Sequence, residues 1–95
     1  MSDFIYPVDL SRDEAGRVVA RVPDIVGCVT DGADEAEALT EAADALDEAL
    51  CAAMDAEEPL PLPSPARGRP VVVLGAAIAA KVARYISMRD STSVE

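Results

Sequence analysis

Histidine and tryptophan are both absent from this chain, and aromatic side chains number only three: one phenylalanine and two tyrosines. Without histidine there is no imidazole to activate a serine or cysteine nucleophile, and a zinc site of the usual His/Cys kind lacks ligands. Two cysteines, Cys28 and Cys51, are too few for a disulfide scaffold in a chain of 95 residues. No metal or other cofactor is expected. The longest uncharged apolar run, Val71 to Ala80, falls far short of the roughly 20 residues that span a bilayer. Asp3 stands near the start with no long apolar run after it, so no signal peptide is visible. The expected location is the cytoplasm.

Basic residues are scarce too. Eight Lys and Arg stand against 18 Asp and Glu, for a formal charge of −10. The charge is unevenly spread. Residues 1–65 hold 16 acidic and 3 basic side chains, a balance of −13, while residues 66–95 hold 2 and 5, a balance of +3. An acidic body is repelled by nucleic-acid phosphates and attracted to a basic protein. The plainer reading of the same charge is solubility. Hydrophobic residues make up 51% of the chain, enough for a single small domain. Many of them are alanines, so the core should be thin and oligomer burial a useful supplement.

Phe4, Tyr6, Val8 and Leu10 recur at period two and predict one strand with that face buried. Ser11 to Gly16 is a polar turn. Val18, Ala20 and Val22 alternate with Val19 and Arg21 as the return strand of a hairpin, which Pro23 ends. Gly27 to Thr30 predicts a short third strand closed by Asp31-Gly32. Asp34 caps the first helix, and Glu37 three residues on completes a capping box. Leu39, Ala43, Leu46, Leu50 and Ala53 form its expected buried stripe. Glu37, Glu41, Asp44, Glu48 and Asp55 line another face. Like charges at i,i+4 cost a few tenths of a kcal/mol per pair. Such a face is either simply solvated or has a basic partner.

Glu57 to Pro70 carries five prolines and should run extended over the surface. Val71 to Leu74 predicts a buried fourth strand, a candidate sheet edge. Gly75 opens a second helix to about Arg89, apolar along Ile78, Val82 and Tyr85 or Ile86, with Lys81 and Arg84 on its other side. The expected architecture is α+β: a three- to four-stranded, mostly antiparallel sheet in the order β-β-β-α-β-α, helices on one face. Residues 1–90 make the domain, and 91–95 a polar tail.

The loop Pro23-Asp24-Ile25-Val26-Gly27-Cys28-Val29-Thr30-Asp31-Gly32, running straight into Glu35-Ala36-Glu37-Ala38, resembles the HicB antitoxins of HicAB toxin–antitoxin systems. Within it Pro23, Asp24, Gly27, Thr30 and Gly32 carry the motif. Tyr6-Pro7, the turn Asp13-Glu14-Ala15-Gly16, Pro61-Leu62-Pro63-Ser64-Pro65 and Lys81-Val82-Ala83-Arg84-Tyr85 extend the likeness over residues 4 to 90. The resemblance implies a degenerate ribonuclease H-like fold. It also implies a partner: a HicA-type toxin, a small basic protein with a double-stranded-RNA-binding-like fold that cleaves mRNA with a histidine.

A nuclease of the parent fold needs clustered carboxylates to hold two metal ions. Here only Asp9 and Asp24 stand next to strands. Asp9 is expected to be solvated, and Asp24, following a proline in a turn, to bond its own backbone. Cys28 reads as a small buried hydrophobe rather than a nucleophile. No catalytic or metal-binding residue is therefore assigned, and the chain is read as a binding module. The candidate toxin-binding residues are Glu37, Glu41, Asp44 and Glu48 on the helix, with Asp24 and Asp31 on the loop, chosen on charge. HicB proteins usually continue into a DNA-binding domain where this chain ends at Glu95, so no direct DNA binding is expected. The alternative reading is a stand-alone, oligomeric HicB-like regulator or scaffold with no toxin.

Overall fold

A computed structural model describes residues 4–93, with side chains to Arg89. The element order is β1 (Ile5–Pro7), β2 (Asp9–Arg12), β3 (Val18–Arg21), β4 (Val29–Gly32), α1 (Glu35–Asp55), β5 (Val71–Val73) and α2 (Ala76–Ser93). β2, β3 and β4 form an antiparallel meander, while β1 pairs antiparallel with β5. The fold is α+β, as the pattern predicts.

The single first strand expected from Phe4 to Leu10 is two strands in two sheets. The chain changes partner at Val8, whose N–H donates to the Pro70 carbonyl at 2.8 Å, whereas Asp9 already faces Arg21 on β3. The period-two face survives the change: Tyr6 and Val8 are fully buried, Phe4 and Leu10 half-buried. Sidedness alone could not reveal the switch, because a strand keeps its alternation whichever neighbour it pairs with.

Other boundaries differ from the sequence reading too: β2 takes in Ser11 and Arg12, read as turn, and β3 and β5 end one residue early, at Arg21 and Val73. The third strand of the meander is Val29–Gly32 rather than Gly27–Thr30, because Gly27 and Cys28 are used in a tight turn. α2 runs on to Ser93, four residues beyond the expected end and into the stretch read as a polar tail.

α1 lies against β3, β4 and β5, and α2 leans mainly on α1. The buried line of α1 is Ala38, Ala42, Leu46, Leu50 and Met54. Leu46 and Leu50 are as expected, but Leu39, Ala43 and Ala53 are only half-buried: the buried line lies one residue earlier at the N-terminal end, at Ala38 and Ala42, and one residue later at the C-terminal end, at Met54. At its N-terminal end α1 comes very close to β4. A Cβ on Gly32 would stand 2.5 Å from the Ala38 nitrogen, a distance only glycine permits. Ala38, Ala42, Leu46 and Leu50 share one core with Tyr6, Val8, Val18 and Val22.

The proline-rich segment from 57 to 70 has neither helix nor strand, as expected. Its prolines lack N–H groups but keep their carbonyls, and side chains from the body and from the segment itself donate to carbonyls along it. The Tyr6 hydroxyl donates to Pro61 O at 2.8 Å, and Arg69 donates to Ala66 O and Pro65 O. Asp9 is exposed, as expected, and also forms an ion pair with Arg69 at 3.2 Å.

At its C-terminal end α1 has no basic residue of its own. Glu57 turns the chain with φ +60°, and the Glu57 and Glu58 N–H groups donate back to Met54 O and Ala53 O. This is the paired bonding of a Schellman motif, with glutamate where glycine is usual. α2 supplies the missing cation: Arg89 donates to Glu57 O at 2.8 Å and Tyr85 to Glu58 O at 2.7 Å. A guanidinium there complements the negative end of the α1 dipole. Both Tyr85 and Ile86 are half-buried, and Val82 is fully buried.

Candidate functional site

The turn between β3 and β4 is tightly bonded. Val22 N–H donates to Cys28 O at 2.9 Å, Ile25 N–H to Val22 O at 3.1 Å, and Cys28 N–H to Ile25 O at 3.2 Å. Gly27 adopts φ +80°, which a side chain would strain. Pro23 is exposed and ends β3, as expected. Asp24 does not bond its own backbone. Its Oδ2 accepts from the Ser64 N–H at 2.9 Å and the Ser64 hydroxyl at 3.0 Å, tying the turn to the proline-rich segment. Ile25 and Cys28 point inward and are buried, and burial pushes the Cys28 thiol pKa up, away from the reactive thiolate. Val26, between them, is 100% exposed.

On α1 the first carboxylate of the stripe is engaged locally. Asp34 Oδ1 accepts from Glu37 N–H at 2.8 Å, and Glu37 Oε1 accepts from Ala33 N–H at 2.6 Å. The expected reciprocal cap is present, with Glu37 reaching the residue before the cap. Asp31 is also engaged, in an ion pair with Arg17 at 2.8 Å. Its exposed guanidinium has a raised pKa, chiefly through its hydrogen bond to Asp31. Glu41, Asp44 and Glu48 are exposed, and among the described residues no cation lies within salt-bridge distance of any of them. Asp47, beside them, has a carboxyl pKa raised by partial burial and then by the charge of Asp44.

Helix and turn meet. Ala45, Ala49 and Ala52 follow one another at i, i+4 and i+7 beside the acidic stripe, so the helix surface there is flat. A depression of about 400 Å³ lies between them and Val26–Val29, with Glu48 on its wall. A second, of about 460 Å³, lies on the far side of Val26, bounded by Ala49, Ala52, Glu58 and Pro61. Among the described residues no group of three or more His, Cys, Asp or Glu side chains could hold a metal ion. What the arrangement offers is an open face with apolar ground and carboxylates at its edges.

Of the six acidic candidates, Glu41, Asp44 and Glu48 share an exposed face and have no cationic partner among the described residues. Asp24, Asp31 and Glu37 have partners within the chain. Thr30 is half-buried on β4 opposite Ala20, and Gly32 gives α1 its close approach. Sequence reading passed over Val26 and the three alanines. Val26 lies in a turn, where periodicity says nothing of direction, and alanines on a helix register only as helix formers.

A family model described as the HicB-like antitoxin of bacterial toxin–antitoxin systems matches residues 5–83. No curated protein matches the chain.

Proposed function

Because this chain belongs to the HicB-like antitoxins of bacterial toxin–antitoxin systems, we propose that it binds and neutralises a HicA-type toxin. That toxin would be a small basic protein that cleaves mRNA, and the antitoxin would cover its active or RNA-binding surface. The observation that carries the reading at residue level is the exposed acidic face of α1, Glu41, Asp44 and Glu48, without a salt-bridge partner among the described residues, on a chain of net charge −10. Carboxylates opposite Lys and Arg speed encounter and set register more than they add affinity. The chain works by binding, not by catalysis, in the cytoplasm. Its charge argues against direct DNA binding, since phosphates repel such a surface.

The test is co-expression with the adjacent small reading frame. Growth should be rescued and a complex should co-purify. A small gene product that is toxic alone, is not rescued and does not co-purify would overturn the reading.

A specific observation also supports self-association, as in the stand-alone regulator reading. Leu74 N–H donates to Phe4 O, and Val8 N–H to Pro70 O. Successive residues of an antiparallel ladder alternate in direction, so Val71 and Val73 turn their backbone groups away from β1. Both valines are exposed, as is Ile5 opposite Val73. A second copy adding its own β5 would meet those groups, with the two-fold axis near Val72.

A further inference from the structure

We propose that Val26 is an apolar anchor for the toxin, seated in a pocket of the partner, while the two depressions beside it receive the pocket's rims. The inference rests on the antitoxin reading and adds to it the means of holding on. A valine that is 100% exposed contributes nothing to the core. Its position is nevertheless fixed: the Val22–Cys28 backbone bonds close the turn, and the Asp24–Ser64 bonds moor it from outside. An apolar side chain on a rigid turn loses little conformational freedom on binding, which is the condition for an effective anchor.

The surroundings specify the occupant. The ground on either side is alanine, and the walls carry Glu48 on one side and Glu58 on the other. Glu41 and Asp44 continue the negative edge along α1. A complementary surface is therefore a shallow apolar pocket rimmed by Lys and Arg, on a basic protein. A second copy of this chain is a poor match, because its own acidic body would face these carboxylates. The two parts of the face should act on different rate constants. Rim charges change association and its salt dependence, whereas a buried apolar contact changes dissociation.

The experiment measures both rate constants for the full chain binding the small basic protein encoded beside it, made catalytically inactive. Val26→Ser should raise the dissociation rate and Kd about ten- to a hundredfold, the effect of returning a buried valine to water. The association rate should stay within about twofold, and the melting curve should not change. Ala49→Gln, which fills part of both depressions, should also accelerate dissociation. If the parent binds and both variants bind equally well, the anchor is overturned while the antitoxin reading stands. If the parent does not bind, it is the reading that has failed. Should Val26→Ser instead reduce self-association in sedimentation and leave toxin binding untouched, the knob belongs to a second copy and the proposal is wrong.

Discussion

Asp24 holds Ser64 twice with one oxygen, accepting from its backbone N–H and its hydroxyl across 40 residues of chain. The contact joins the turn that carries Val26 to the middle of the proline-rich segment. Hydrogen bonds to a charged acceptor contribute about 1.5–3 kcal/mol each at most, and less when part-exposed. Asp24→Ala should therefore lower stability by about 1–3 kcal/mol. Ser64→Ala, which keeps the backbone donor, should have the smaller effect. Chemical denaturation of the two variants checks the order, and equal midpoints would mean the hydroxyl carries the whole contact.

Gly32→Ala places a methyl 2.5 Å from the Ala38 nitrogen and 2.9 Å from the Glu37 carbonyl carbon, both backbone atoms that cannot swing aside. α1 must move off β4. Overpacking of this kind costs about 1–3 kcal/mol, and more where backbone must shift. The melting temperature should fall by several degrees. An unchanged value would show that the helix is not seated on β4 as described.

Glu57→Gly should stabilise the domain. Glu57 closes α1 at φ +60°, where an L side chain costs about 1–2 kcal/mol and glycine almost nothing. Part of that gain is lost to the greater freedom of glycine in the unfolded chain, leaving about 0.5–1 kcal/mol. Arg89 bonds the residue 57 carbonyl and not its side chain, so that contact survives. A rise in the denaturant midpoint is the expected result, and a fall would mean that the glutamate side chain has a role of its own.

Pairing along β5 is open to a direct check. Val73→Lys puts a charge at the exposed edge, opposite Ile5, without touching buried Val72. Sedimentation should show the parent self-associating at micromolar concentration and the variant monomeric, with the same melting curve. A parent that stays monomeric removes the edge from the account.

What could be read from the sequence follows physical range. The cap at Asp34, the start of α1 and the burial of Leu46 and Leu50 are encoded within a few residues and were legible. So was the α+β order. The exchange of partners at Val8 was not, because it depends on where β5 arrives some 60 residues later. Asp24 is missed for the same reason: its partner, Ser64, is remote in sequence, as is Arg69, which the solvated Asp9 meets. The acidic face was visible as spacing along one helix. Val26 became visible only once the turn fixed its direction.

The central claim is that the acidic face of α1 captures a basic toxin. The most direct measurement is the association rate constant with inactive toxin as a function of salt, for the parent and for Glu41→Gln/Asp44→Asn/Glu48→Gln. Shape is kept and three charges are removed. The account predicts slower association with a flatter salt dependence, and stability unchanged or slightly raised as like-charge repulsion is relieved. An association rate and salt slope equal to the parent's would contradict it.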